Sequence, residues 1–298
     1  MSNALLNRTR KDVCPNNTWG LTDVMRSLLR YQIGRLPRKR VSETETRYPV
    51  TPAGMRAFLE LFFTRHFFQV QNSLIHYLTS YDGVGVIRSG SLRILDIGSG
   101  PGVASLAITD MVACVLKNLA DLGAWPRNTR LRLTYVLNDT VSICLGTGQS
   151  MLADYFRISG GHRKWITHAR MVSVQKAFPD NIRQLRRIAH NIGGYDIAAF
   201  SYVLTPLKED AGLDDVIKGL STTKNLCNSD GRILILQDRF KATLVQRVGK
   251  LIGTSSRKEE LTQHVYPRRN ENKIYTYSYY SCLCSPTKGG VVRKSVVL

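Results

Sequence analysis

Residues 92–103 read Leu92-Arg93-Ile94-Leu95-Asp96-Ile97-Gly98-Ser99-Gly100-Pro101-Gly102-Val103, and this run decides the fold. Leu92, Ile94, Leu95 and Ile97 make an apolar strand that carries the acid Asp96 and ends in three alternate glycines. Apolar residues then recur at helical spacing through Val103, Leu106, Ala107, Ile108, Met111 and Val115. A strand breaking into a glycine turn and then a helix is how doubly wound sheets bring backbone N–H groups close to a ligand. Without a Cβ, glycine allows both positive φ and that close approach.

Outward from this turn, strands and helices alternate. Strands are predicted at 92–97, 131–137, near 169–174, 195–200 and 231–238, with helices over 102–122, from Ile143 to Phe156, and over 181–192 and 213–227. Alternation of this kind gives βαβ units and a parallel sheet. The tyrosine-rich stretch from Lys273 to Cys284 reads as two late strands or one long edge strand, the antiparallel addition common in mixed sheets. The expected fold is therefore α/β: a Rossmann-like, doubly wound, mainly parallel sheet with an antiparallel C-terminal strand and an N-terminal helical extension. Residues 1–50 read as a basic extension holding a helix capped by Thr22 and an exposed linker or lid over 38–49. Residues 51–84 read as an apolar helical segment opened by Thr51-Pro52, 85–285 as the main domain and 286–298 as a mobile tail.

The spacing Asp-x-Gly-x-Gly-x-Gly differs from the Gly-x-Gly-x-x-Gly of dinucleotide sites, and it resembles the first motif of class I S-adenosylmethionine-dependent methyltransferases. That resemblance implies S-adenosyl-L-methionine as cofactor, bound by Asp96, Gly98, Ser99, Gly100 and Gly102. It implies an acid after the second strand, Asp139, on the ribose hydroxyls. The alternative for Asp139 is the N-cap of the next helix. After the third strand, Gln175 and Asp180 become candidates for the adenine amino group. In such enzymes a helix ahead of the first strand often leans over the cofactor, so Gln69 or Asn72 could reach it. His66 and His76 on the same segment read as ordinary half-buried histidines. After the fourth strand, Ser201 and Tyr202 are the acceptor-side candidates, with Ser201 also facing the cofactor.

The well-defined base-methylating motifs are absent: there is no Asp/Asn-Pro-Pro-Tyr/Phe run and no Pro-Cys dipeptide. The run Ser201-Tyr202-Val203-Leu204 and the Gly98-Ser99-Gly100-Pro101-Gly102 turn are similar to methyltransferase-like assembly factors of small ribosomal subunits, over roughly residues 91–240. The cysteine cluster of those proteins is missing, with Asp238-Arg239-Phe240 in its place.

Charge suggests the partner. The chain carries 42 Lys and Arg against 22 Asp and Glu, a net +20, which repels itself unless a polyanion is near. Arg35, Arg38, Lys39 and Arg40 form one run and are the nucleic-acid-binding candidates. Other clusters are Arg127/Arg130/Arg132, Arg163/Lys164, Arg183/Arg186/Arg187, Arg247/Lys250, Arg257/Lys258 and Arg268/Arg269. Phosphate neutralisation by such patches supplies sequence-independent affinity, so nucleic acid, RNA before DNA, is the expected partner and an anionic membrane surface the lesser option. The leading expectation is a methyltransferase acting on structured RNA. The alternatives are a methyltransferase-fold RNA-binding or assembly protein without turnover, and a small-molecule or protein methyltransferase.

The six scattered cysteines give neither a disulfide framework nor a zinc spacing, and no metal is expected. No apolar run approaches the ~18–20 residues of a spanning helix. Met1 to Val13 lacks the apolar core of a secretory signal. A cytoplasmic location is the default, with organelle targeting through Arg8, Arg10 and Lys11 the alternative. The oligomeric state is left open.

Overall fold

A computed structural model describes residues 2–126, 129–158, 164–203, 213–238, 242–251, 253–264, 266 and 273–286. Seven strands, β1 (Ser91–Ile97), β2 (Leu131–Asp139), β3 (Ile166–Gln175), β4 (Tyr195–Ser201), β5 (Cys227–Asp238), β6 (Arg257–His264) and β7 (Ile274–Cys284), form one sheet in the order β3-β2-β1-β4-β5-β7-β6. The first five pair in parallel, and β7 runs antiparallel to β5 and β6. From β1 the chain builds outward to β2 and β3, then returns to lay β4 on the other side. The switch point, where doubly wound sheets bind ligands beyond the strand C-termini, therefore falls between β1 and β4.

Helices α7 (Val103–Asp121), α8 (Ser142–Ile158), α9 (Ile182–Ile192), α10 (Leu213–Lys224) and α11 (Ala242–Leu251) follow β1 to β5 in turn. One sheet face packs on α7, α8 and the preceding helices α1 (Ser2–Val13), α2 (Asp23–Gly34) and α5 (Phe63–Leu78). The other face packs on α9, α10 and α11. Because Leu5, Met25 and Leu28 share a buried cluster with Leu92 and Ile94 of β1, the basic N-terminal region is folded onto the core. Each such side chain contributes about 1.5–3 kcal/mol of burial. Three short helices complete this part: α3 (Glu43–Arg47), α4 (Pro52–Leu61) and α6 (Tyr81–Arg88).

The expected strands hold with small shifts of their ends, and β5 starts earlier, at Cys227, where a helix was expected to continue. The late region differs more. β7 lies inside the sheet, and a strand not expected, β6, takes the edge. Arg-Lys-Glu-Glu-Leu-Thr-Gln-His hides its alternation because an edge strand can keep charge on most positions, which also blocks edge-to-edge pairing. The N-terminal segment covers that edge further: Trp19 N–H donates to Thr262 O at 2.9 Å and His264 N–H donates to Trp19 O at 3.0 Å. The single helix read from Thr51 onward bends at Phe62, although the ladder continues through Phe62 N–H to Phe58 O and His66 N–H to Phe62 O. Helices α1, α3, α6 and α11 are not among the expected elements, and α3 falls in the stretch read as an exposed linker or lid.

Among the described residues one helix, α7, is long and apolar enough to cross a membrane, with 19 residues and a mean hydropathy of 1.5. This corrects the expectation that no apolar run approaches that length. In the fold α7 is the core helix, packed between α5 and the sheet.

Candidate ligand-binding site

Each glycine of the 98–102 turn has positive φ, yet the three meet different surroundings. A Cβ on Gly102 would lie 3.2 Å from Gly148 Cα, so the glycine pair lets the turn and α8 touch backbone to backbone. A Cβ on Gly98 would lie 2.8 Å from Val203 Cγ2. On Gly100 it would meet nothing within 4 Å. Gly100 therefore faces open space, and that space is a cavity of about 370 Å³ at the switch point.

Asp96 does not line this cavity. It is fully buried under the turn, where Oδ2 accepts Ser105 N–H at 3.0 Å and Ser105 Oγ–H at 2.8 Å. Gly102 gives α7 no side-chain cap, so the β1 acid caps it from beneath. Burial pushes the Asp96 carboxyl up to about 7 against the lowering effect of the two Ser105 bonds. Its Oδ1 has no partner. The expected direct cofactor contact becomes a positioning role: Asp96 fixes the turn that meets the cavity.

Asp139 does line the cavity. Its Oδ2 accepts Gly100 N–H and its Oδ1 accepts Val141 N–H, both at 2.9 Å. Helix α8 begins only at Ser142, so the N-cap alternative gives way to a local Asx-type turn joined to a brace on the glycine loop. Ser99 is buried on the cavity wall, its N–H donating to Asn138 O at 2.8 Å. Asn138, also on the wall, secures the end of β3 by donating to Val174 O and Lys176 O.

Gln175 and Asp180 are both exposed and neither lines the cavity. Gln175 turns its amide to Thr140 O at 3.4 Å. The wall after β3 is formed instead by Lys176, Ala177 and Phe178, with Val216 of α10 also lining the cavity. An apolar surface here suits the flat face of a ring, a role that a search for polar partners could not find.

The far side is aromatic. Ser201, Tyr202, His66 and Phe58 line it. Tyr202 sits in the left-handed region at φ 63 and stacks on His66 with centroids 3.9 Å apart and planes 18° apart. His66 stacks in turn on Phe62 at 5.9 Å. Tyr202 Oη donates to Gln69 Oε1, so Gln69 touches the site through Tyr202, while its fully buried Nε2 has no partner. Burial, with the Arg65 guanidinium adding to it, lowers the His66 pKa to about 3, and the ring is neutral near neutral pH.

Arg47, Tyr48 and Pro49 also line the cavity, coming from the segment read as a linker or lid. Cys144 Sγ–H donates to Pro49 O at 3.5 Å and tethers this strap. The basic run Arg38, Lys39 and Arg40 is exposed on the stretch leading into it, and Arg35 lies over the Tyr31 ring at 5.3 Å.

Asn72 and His76 lie elsewhere. Asn72 donates to Glu259 and Tyr279, and His76 pairs with Arg10. Residues 204–207, Arg127, Arg163, Arg239, Phe240, Arg268, Arg269 and the tail from 287 lie outside the described residues. Among the described residues no group of His, Cys, Asp and Glu could hold a metal ion.

No protein-family model matches the sequence, and no curated protein matches it. Several solved structures are similar in fold. Cofactor-bound Rv0187 from MTB shares 11% identity at a TM-score of 0.40, over 92% of this chain and 93% of that one. Precorrin-6y C5,15-methyltransferase from Geobacter metallireducens GS-15 shares 12% at 0.35, over 69% and 88%. TehB from Haemophilus influenzae shares 10% at 0.33, over 70% and 65%. The fold of this chain is established by its own strand order, β3-β2-β1-β4-β5 followed by an antiparallel β7 and the edge strand β6.

Proposed function

We propose that the cavity binds S-adenosylmethionine and that the protein transfers its methyl group to an acceptor held against the aromatic wall, a base of structured RNA. The observation that carries this reading is Gly100, whose missing Cβ opens onto the cavity at the switch point while Asp139 braces its amide. The residues present fit the cofactor. The cavity volume lies within the range of small-molecule sites. Each Asp139 oxygen keeps a second lone pair for a ribose hydroxyl, and Ala177, Phe178 and Val216 offer an apolar slot for a purine.

S-adenosylmethionine supplies a methyl already activated by its sulfonium. The chain's own task is then to hold a nucleophile in line and to exclude water. Tyr202, fixed by His66 on one side and Gln69 at its hydroxyl, gives the acceptor a rigid wall. Neutral His66 adds no positive charge beside the cationic cofactor. The strap Arg47–Pro49 adds to the cavity's lining. An RNA acceptor is supported by the net charge of +20 and by the exposed Arg38, Lys39 and Arg40 leading into the strap.

The test is incubation with methyl-labelled S-adenosylmethionine and separate RNA, DNA, protein and small-molecule fractions, beside calorimetry with S-adenosylhomocysteine. Label in RNA supports the full reading. Label in protein or small molecules would keep the methyltransferase and remove the RNA. Binding without label in any fraction would leave a cofactor-bound assembly protein, and no binding would overturn the reading at its root.

A further inference from the structure

Helix α9 carries a feature that the cavity does not use. Its apolar residues Ile182, Leu185, Ile188, Ala189 and Ile192 pack on the sheet. Arg183, Arg186, Arg187 and His190 are exposed on the opposite side. The spacing i, i+3, i+4, i+7 makes them one stripe, roughly 10 Å long at ~1.5 Å rise per residue. The helix contains no acidic residue. Nor does any carboxylate among the described residues pair with the three arginines: Asp180 before the helix, and Asp214 and Asp215 on α10, make no ion pair with them. Like charges three and four apart on a helix repel, and no carboxylate among the described residues relieves this by an ion pair.

The stripe is also placed. Lys176, Ala177 and Phe178 line the cavity, and α9 starts just beyond them, with Asn181 N–H donating to Ala177 O at 3.2 Å. A row of cations thus runs from the cavity rim, at Lys176, along the outside of α9.

We propose that this stripe is a phosphate track, holding the RNA backbone that leads to the base at the aromatic wall. The proposal rests on the RNA reading above and assigns its grip to α9 rather than to the N-terminal run alone. Guanidinium groups suit it, since each can meet a phosphate with two parallel donors.

The test uses the full chain and a labelled single-stranded RNA of ~20 nucleotides, titrated from about 50 to 200 mM salt. The variant is Arg183→Glu with Arg186→Glu and Arg187→Glu. The control is Arg88→Glu with Arg130→Glu and Arg132→Glu, an equal change in charge at exposed positions by the starts of β1 and β2, the far end of the sheet. With about 0.7 in log–log slope per single-strand phosphate contact, the α9 variant should flatten the salt slope by about 2 and weaken binding at least tenfold. The control should stay within about threefold, and S-adenosylhomocysteine affinity should be unchanged in both. Equal losses in variant and control, or an unaltered slope in the α9 variant, would overturn the track. Wild-type binding to phosphatidylserine vesicles without binding to RNA would overturn it too. Loss of cofactor binding by the wild type is a separate result, which removes the methyltransferase reading while the α9 comparison still stands.

Discussion

Asp139 Oδ2 accepts the Gly100 amide at 2.9 Å, so the acid expected at the ribose also braces the turn that opens the cavity. The same carboxylate holds Val141 N–H through its other oxygen. The side chain that braces the turn is therefore also the one proposed for the ribose, and it lines the cavity.

This changes what substitution should do. Asp139→Ala loses both backbone contacts and should destabilise the fold by about 1–3 kcal/mol. Asp139→Asn keeps one acceptor oxygen but turns its NH₂ towards a second N–H donor, so it should lose about half as much. A pure capping role would leave Asn harmless. Both variants should bind S-adenosylhomocysteine at least tenfold more weakly, a loss of about 1.4 kcal/mol. Denaturant titration and calorimetry on the pair measure the two effects, and wild-type affinity in both variants would remove Asp139 from the ligand.

The glycines should separate stability from binding. Gly102→Ala places a methyl against the Gly148 backbone at positive φ, and should cost more than the ~1–2 kcal/mol of left-handed backbone alone. At Gly100 a Cβ meets nothing within 4 Å, so Gly100→Val should pay mainly the backbone cost while filling the space before the amide. Thermal melts should rank Gly102→Ala below Gly100→Val, whereas S-adenosylhomocysteine binding should be lost in Gly100→Val. The reverse ranking would mean that the turn, not α8, sets the packing limit.

Tyr202→Phe removes the donor to Gln69 and leaves a fully buried amide with no partner at either end. The expected loss is about 1–3 kcal/mol, and Gln69→Leu in the same chain should recover most of it because no polar group is then stranded. Cofactor affinity should be unchanged while methyl transfer falls. A Tyr202→Phe variant as stable as the wild type would place the Gln69 amide against water.

Asp96 and His66 should give opposing pH dependences. Asp96 rises from 3.8 to about 7 on folding, so the stability it allows is fullest below its ordinary value and is lost as pH rises through 7. His66 falls from 6.5 to about 3, so its stability is fullest above 6.5 and is lost as pH falls towards 3. Across about pH 4 to 7 the two trends oppose. Asp96→Asn should unmask acid sensitivity in the melting temperature, and His66→Gln should unmask a decline towards neutral pH. Unchanged profiles in both would show that neither group titrates as its burial dictates.

Much of the sheet was legible because its signals are local. Leu92 to Ile97 announce a strand by composition, and the glycines announce the turn by φ that other residues resist. Even the Gly102 contact with α8 leaves a trace, as Gly148 is a glycine within an otherwise helical run. Asp139 was legible as the residue a second parallel strand must deliver beside the first.

The remaining features depended on distant chain. Whether Asp96 meets a ligand or caps α7 depends on where Ser105 falls once the turn has closed. Gln175 and Asp180 have suitable chemistry, but their exposure was set by the path from β3 into α9. His66 read as an ordinary histidine until folding laid Tyr202 upon it from a strand far along the chain. The sequence by itself determined the parallel sheet, the glycine turn and the basic surplus, since propensity, periodicity and charge are properties of neighbouring residues. Only the tertiary structure decided that β7 enters the sheet, that the strap and the aromatic wall line the cavity, and that α9 lines its charge up from the rim. Those are contacts between segments whose sequences say nothing of each other, and packing alone brings them together.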